Sequence, residues 1–399
     1  MSVPSFIQAL VGSKIRTVEM HTSGEAARIV YAGYPDIHSG PLLEQRSLAR
    51  SQHDHLRCSI IYEPRGHQDM YGAVLRPHTE LVDSGEAHMG ALFLTHEGYG
   101  VMCGHATIAL GRFLVDCTDE SIFPRRQELQ FDEDKQQVEV RLHAPVGLVR
   151  ITVPIVEVNG SWRTDTSRLI TFLSVPTFAT AIDISVPIPA SMRWAELGDG
   201  TRVTVDVGFG GAFYAVVPAS ALGFAAALAK PDTSALSNAA KKLKEAFNAS
   251  SDLRAHLHNP DDESPQYLYG IMVTDAGSDD ELPTTPGCAG AETGLYFFGD
   301  QQVDRSPTGS VVQARVALAM AKGQRRLGEP WTYHSLVSKA IGGHKSAFVG
   351  TPVEELEIGG NKAWRVEVSG QAFYTGTSTF VTEKYDDIGK GFSFQSLGI

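Results

Sequence analysis

Cysteine is scarce in this chain: four in 399 residues, Cys58, Cys103, Cys117 and Cys288, scattered and with no CxxC pair. A disulfide framework has no support from such spacing, and reduced thiols in the cytosol are the expected state. Long apolar runs are missing as well. The longest clean one, Leu222 to Ala229, reads as a short amphipathic or buried piece and falls far short of the roughly 20 residues a membrane helix needs. Positive charge is in deficit, with 34 Lys and Arg against 46 Asp and Glu and a formal net charge of −12. A diffuse acidic balance argues against nucleic acid or an anionic membrane as partner. It also means that a small anionic ligand needs a local positive field. Phosphate loops are absent. Gly208-Phe209-Gly210-Gly211 follows a strand pattern but leads into another strand pattern, whereas a dinucleotide fingerprint opens a helix. Basic residues in Met1 to Arg16 come after the weakly apolar part, so no signal peptide is expected. Ser396 to Ile399 is no recognised address.

What is present is a composition with 42% hydrophobic and 20% charged residues, that of a globular chain with a sizeable core and, by length, two or three domains. Strand-like alternation dominates from Lys14 to about Val158: Ile15 to Met20, Arg28 to Ala32 ended by Gly33, Val138 to Leu142, and Ile151 to Val156. Residues 159 to 200 are rich in turn formers and are expected to join two lobes. A second strand series opens at Arg202 to Val207 and Gly211 to Val217, and late strands are expected at Ala363 to Ser369 and Ser378 to Glu383. Ser234 to Phe247 has the spacing of an amphipathic surface helix carrying Lys241, Lys242 and Lys244. Residues 276 to 292 read as an exposed loop. The balance is mixed α and β with antiparallel-type alternation rather than a regular βαβ rhythm.

Two short stretches stand out against this background. Cys103-Gly104-His105 leads into Ala106 to Leu114, and Thr308-Gly309-Ser310 leads into Val311 to Leu318. Each is a small polar residue, a glycine and then a run with helical character. They lie about half the chain apart, and each follows an apolar stretch, Ala91 to Leu94 and Leu295 to Phe298. Two related lobes facing one site would have this pattern, one carrying a thiol and the other a hydroxyl.

A helix start presents unpaired N–H groups and a partial positive charge. A thiol there can fall from a pKa of about 8.5 to somewhere between roughly 3.5 and 7.5, and so serve as a base or nucleophile. The competing reading of Cys103 is a buried structural cysteine; the repeat of its pattern in the second half favours function. Thr308 reads equally as a functional hydroxyl or as an ordinary N-cap. Asp304 reads equally as an ammonium ligand or as a loop carboxylate paired with Arg305. No metal is expected: Cys103 with His105 falls short of the three or four ligands of a zinc site, and His53-Asp54-His55 suits a surface strand or loop.

The same residues resemble the two signature motifs of the proline racemase family, Met102-Cys103-Gly104-His105 and Asp304-Arg305-Ser306-Pro307-Thr308-Gly309. Met20 to Glu25, Glu63 to Gly72, Gly210 to Tyr214 and Val368 to Thr377 also look like the family. Racemases of this family carry a cysteine in both motifs. Thr308 in place of the second one resembles the trans-3-hydroxy-L-proline dehydratase branch. Ala26-Ala27, where a proline often follows the Glu, and the long loop at 276–292 are departures outside the central motifs.

The resemblance implies an α/β fold of two pseudo-symmetric, diaminopimelate-epimerase-like lobes. Each would wrap strands around a central helix, with the active site in the cleft between them. The lobes are expected at 1–185, with 370–399 returning to the first, and at 186–369. It further implies a cofactor-independent homodimer acting on a small amino acid, and the reduced thiols make the cytoplasm the expected location. Substrate contacts would fall on Gly104, His105, Asp304, Gly309 and Ser310, with Tyr71 and Phe298 as walls and Cys103 and Thr308 on the reacting faces. Proline or hydroxyproline racemase or epimerase activity, disfavoured by Thr308, and a non-catalytic amino-acid-binding role are the alternatives.

Overall fold

The computed structural model describes residues 4–8, 11–37, 40–226, 228–260, 266–275 and 282–394. The chain forms two compact units, 1–172 with 371–399, and 173–370. Residues 173–185, expected in the first lobe, thus belong to the second unit.

The strands of the first unit are β1 (Val11–Thr22), β2 (Glu25–Ala32), β3 (Gly72–Arg76), β4 (Met89–Leu94), β5 (Tyr99–Gly100), β6 (Phe131–Asp132), β7 (Gln137–Ala144), β8 (Gly147–Val158), β9 (Ser161–Thr164) and β10 (Ile170–Leu173), joined by the late β20 (Ala372–Glu383). Its helices are α1 (Ser5–Gln8), α2 (Leu42–Gln52), α3 (Asp54–Ile61), α4 (Glu80–Asp83) and α5 (Gly104–Asp116). The second unit contains β11 (Phe178–Pro187), β12 (Arg202–Phe209), β13 (Phe213–Pro218), β14 (Leu268–Thr274), β15 (Ala291–Phe298), β16 (Gln302–Asp304), β17 (Trp331–His334), β18 (Phe348–Ile358) and β19 (Asn361–Gly370). Its helices are α6 (Thr233–Ala249), α7 (Ser251–Arg254), α8 (Gly309–Ala321) and α9 (Leu336–Ile341).

Strand pairing follows one scheme in both units. In the first, β20, β1 and β2 are successively antiparallel, β2 is parallel to β3, and β3, β4 and β5 are again antiparallel. The chain then runs through α5 and returns as β7, parallel to β4 and antiparallel to β8. In the second, β11, β12 and β13 are antiparallel, β13 is parallel to β14, and β14, β15 and β16 are antiparallel. After α8 comes β17, parallel to β15 and antiparallel to β18. Most pairs are antiparallel, as the alternation led one to expect, and the parallel pairs β2–β3, β4–β7, β13–β14 and β15–β17 add to them. Parallel neighbours need a crossover, and helices lie within these connections: α2 and α3 between β2 and β3, α6 and α7 between β13 and β14.

The key helix of each unit is enclosed. All of α5 is buried except Arg112 and Asp116, and it packs against β1, β2, β7, β8, β9 and β20. Gly111 permits one of these approaches, because a Cβ there would lie 2.6 Å from Ile151 Cγ2. In α8 every residue from Gly309 to Leu318 is buried, and its neighbours are β11, β12, β13, β18 and β19. A helix apolar on all sides needs such enclosure.

Three expectations are corrected. Residues 159–200 hold β9, β10 and β11; β9 and β10 are only four residues each, and two register shifts break the alternation of the ten-residue β11. His53 and His55 belong to the junction of α2 and α3 rather than to a strand or loop. The loop expected at 276–292 ends before Ala291, where β15 begins, and its residues 276–281 lie outside the described residues. The helix read at Ser234 to Phe247 runs Thr233–Ala249 and buries Leu236, Ala239, Ala240, Leu243, Ala246 and Phe247. The apolar run from Leu222 closes a 3-10 turn, and Leu228 sits in the core.

Candidate active site

In the first unit, Cys103 is the N-cap of α5, with extended backbone (φ −148°, ψ 107°) and no side-chain cap bond. Its Sγ lies 3.5 Å from His105 Nδ1 and 3.6 Å from Nε2. Both residues are buried. Tyr71 meets the His105 ring edge-on, with centroids 4.6 Å apart. The Tyr71 carbonyl accepts the Arg28 N–H at 3.0 Å, which fixes the loop ahead of β3 to β2. Gly104 and His105 open the first turn of α5, where backbone N–H groups have no intrahelical acceptor.

Thr22, which the motif reading assigned no role, anchors this turn. It ends β1, is fully buried, and donates its hydroxyl to the His105 carbonyl at 2.8 Å. Ser23 and Gly24 then form a two-residue hairpin with φ of 54° and 90°, the left-handed pair that suits such tight turns.

The second unit places its residues differently. Thr308 occupies the N-cap position of α8 at φ 62°, ψ 92°, and makes no cap bond. A β-branched residue with positive φ is an outlier, costing on the order of 1–3 kcal/mol. The reading of Thr308 as an ordinary N-cap is therefore corrected. Its Oγ1 is buried and, among the described residues, has no hydrogen-bond partner, while its N–H donates to Ser306 Oγ at 3.1 Å. Asp304 ends β16, is buried, and accepts the Ser306 N–H at 2.7 Å. These two turn bonds shape the segment from Asp304 to Thr308.

Asp304 faces Tyr296 across the β15–β16 pair. Phe298 stacks on Tyr296, with centroids 5.7 Å apart and planes 10° from parallel. Burial, and then nearby Tyr214, Tyr269 and Asp304, push the Tyr296 hydroxyl well above its ordinary pKa, so it stays protonated. Gly309 and Ser310 open α8, and Ser310 Oγ accepts the Tyr214 hydroxyl at 2.9 Å.

Cys103, His105 and Tyr71 are thus gathered in the first unit. Asp304, Thr308, Gly309, Ser310 and Phe298 lie on β15, β16, the start of α8 and the loop before it in the second. Sequence reasoning missed Thr22, Ser306 and Tyr296 and gave Tyr214 no task. The family-like stretches Met20 to Glu25, Asp304 to Gly309 and Gly210 to Tyr214 were the available signal for Thr22, Ser306 and Tyr214. Among the described residues, no three His, Cys, Asp or Glu side chains gather as a metal site requires. No described helix is long and apolar enough to cross a membrane.

The chain as a whole is similar to known proteins. The family model described as proline racemase matches residues 17–393. The chain is 42% identical over 380 residues to the trans-L-3-hydroxyproline dehydratase of Bos taurus and 41% identical to the trans-3-hydroxy-L-proline dehydratase of Homo sapiens. Each alignment covers 95% of this chain and 94% of the relative. A crystal structure of a probable proline racemase from Agrobacterium radiobacter K84 shares the fold, with a TM-score of 0.74 at 23% identity, covering 96% of this chain and 97% of that one.

Proposed function

The chain belongs to the proline racemase family, and from that premise we propose that it dehydrates trans-3-hydroxy-L-proline to Δ1-pyrroline-2-carboxylate and water. The observation that carries this reading is the inequality of the two helix starts: Cys103 opens α5, while Thr308 opens α8. The dehydratase names of relatives sharing about two-fifths of the sequence support it.

In this reading the two helix starts serve opposite faces of one substrate. Backbone N–H groups of Gly104, His105, Gly309 and Ser310 bind the carboxylate and supply the local positive field that an acidic chain otherwise lacks. They also stabilise the charge that moves into the carboxylate as the α-proton leaves. Asp304 holds the ring ammonium, and Tyr71 and Phe298 form walls.

Cys103, as thiolate, takes the α-proton as general base. The electron pair left on Cα forms the Cα–C3 double bond as the C3–O bond breaks, and the hydroxyl departs with a proton as water. The resulting enamine tautomerises to the cyclic imine. In the trans substrate the α-hydrogen and the 3-hydroxyl share a ring face, both being opposite the carboxylate. The proton taken by Cys103 can therefore pass to the leaving hydroxyl, and His105, beside the sulfur, is the other candidate acid. A thiol at position 308 would reprotonate Cα from the other face and racemise; the Thr308 hydroxyl is far too weak an acid to do so. The reaction needs no cofactor, and the enzyme is read as a cytoplasmic homodimer.

Incubation with trans-3-hydroxy-L-proline, followed by mass analysis for a product lighter by one water, tests the proposal. Turnover by the native enzyme after exhaustive chelation and dialysis, and none by a folded Cys103→Ser variant, is the expected result. Rapid interconversion of L- and D-proline without dehydration would replace the dehydratase reading with a racemase.

A further inference from the structure

The stretch Gly210-Gly211-Ala212-Phe213-Tyr214 ties the β12–β13 hairpin to the start of α8. A Cβ on Gly210 would lie 2.1 Å from the Ser310 carbonyl oxygen and 2.9 Å from the Ala314 N. Glycine therefore lets the first turn of the helix rest directly on the hairpin. Four residues later Tyr214, on β13, reaches Ser310 Oγ with its hydroxyl at 2.9 Å, both side chains being buried. Neighbouring rings hold the Tyr214 ring edge-on: Tyr296 at 5.6 Å and 76°, and Tyr269 at 6.2 Å and 86°. The hydroxyl is thus delivered to Ser310 from a fixed direction.

A serine hydroxyl has one proton to give and two lone pairs to offer. Tyr214 fills one lone pair of Ser310, and among the described residues Ser310 Oγ has no other hydrogen bond. Its proton is therefore uncommitted, at the second residue of a helix whose first N–H groups have no intrahelical acceptor. Accepting one hydrogen bond polarises a hydroxyl and strengthens the bond it donates. Without the tyrosine, the serine is free to turn its proton back to a carbonyl of the preceding turn, as helical serines do.

We infer that Tyr214 is a positioning residue, whose hydroxyl holds Ser310 so that the Ser310 proton is donated to the substrate carboxylate beside the Gly309 and Ser310 N–H groups. This rests on the reading of the α8 start as part of the carboxylate site. In the first unit the second residue of α5 is His105 rather than a serine, and Tyr71 meets its ring edge-on.

The test is a double-mutant cycle with Tyr214→Phe, Ser310→Ala and the double variant, read as kcat, KM and the inhibition constant of L-proline. Ser310→Ala is expected to lower kcat/KM roughly 10- to 100-fold, the loss of a hydrogen bond to a charged group. Tyr214→Phe, which removes one oxygen, is expected to lower it roughly 3- to 10-fold through that same bond, with L-proline inhibition weakening in step. The double variant is expected to be no worse than Ser310→Ala. Multiplicative losses in the double variant, or native L-proline inhibition in Tyr214→Phe, would overturn the inference. If Tyr214→Phe loses its cooperative melt, Ser310→Thr decides: near-native affinity supports the relay, and Ser310→Ala-like affinity overturns it. Should the native enzyme fail to dehydrate its proposed substrate, the function falls, yet direct L-proline binding to the same variants still decides the relay.

Discussion

The hydroxyl of Thr22 donates to the carbonyl oxygen of His105 across 2.8 Å, joining the end of β1 to the first turn of α5. Thr22→Val keeps the shape and removes the donor. The expected cost is about 0.5–1.5 kcal/mol of stability, the net worth of one such bond, while Thr22→Ser should stay near native. Urea unfolding of the three proteins checks this; equal midpoints for Val and Ser would show that the bond contributes nothing.

Asp304→Asn should fold normally, because the Asn side-chain oxygen can still accept the Ser306 N–H that Asp304 accepts now. It should nevertheless lower kcat/KM roughly 10- to 150-fold through loss of a charge-assisted bond to the ring ammonium. KM should rise and kcat fall together. An unchanged kcat/KM in the purified variant would leave Asp304 with a purely structural task.

Thr308 holds φ 62° and buries a hydroxyl that has no partner among the described residues. Thr308→Gly should relieve about 1–3 kcal/mol of backbone strain, offset by about 0.5–1 kcal/mol of extra chain entropy. The melting temperature is therefore expected to hold or rise; a clear fall would mean that the Thr308 side chain stabilises the fold.

Thr308→Cys should gain weak proline racemase or hydroxyproline epimerase activity, since it places a thiol at the start of α8. Chiral chromatography after long incubation measures it. A variant with no trace of the D-isomer would show that a second thiol is insufficient.

His88 supplies a pH dependence. Burial, and then the Arg141 charge, push its imidazole from 6.5 down to about 4. The fold thus favours the neutral ring, whose Nδ1 accepts the Arg141 N–H at 3.1 Å. A depressed pKa contributes stability that is fully present above pH 6.5 and is lost as pH falls towards 4. His88→Asn keeps an acceptor near Nδ1 but does not titrate. Between pH 7 and pH 4.5 the native protein should lose more unfolding free energy than this variant, and parallel losses would remove His88 from the acid response.

The sequence by itself carried whatever is written locally. Glycine after Cys103 and Thr308, followed by apolar residues, marked the starts of α5 and α8, because a helix start is set by a few neighbouring residues. Period-two alternation marked β1, β7, β8 and β12, each long enough to show it. Four-residue β9 and β10 escaped because so few residues fix no period; in β11 two register shifts break the alternation, and α2 beside His53 buries only Leu42, Gln45 and Ala49.

Tertiary structure alone decided the rest. The Tyr214–Ser310 bond spans 96 residues and the Thr22–His105 bond 83, so each depends on strand register and on how closely a helix approaches a hairpin. The positive φ of Thr308 is likewise imposed from outside. Threonine does not choose that conformation; the turn from Asp304 through Ser306, fixed between β16 and a buried helix, leaves the chain no other path.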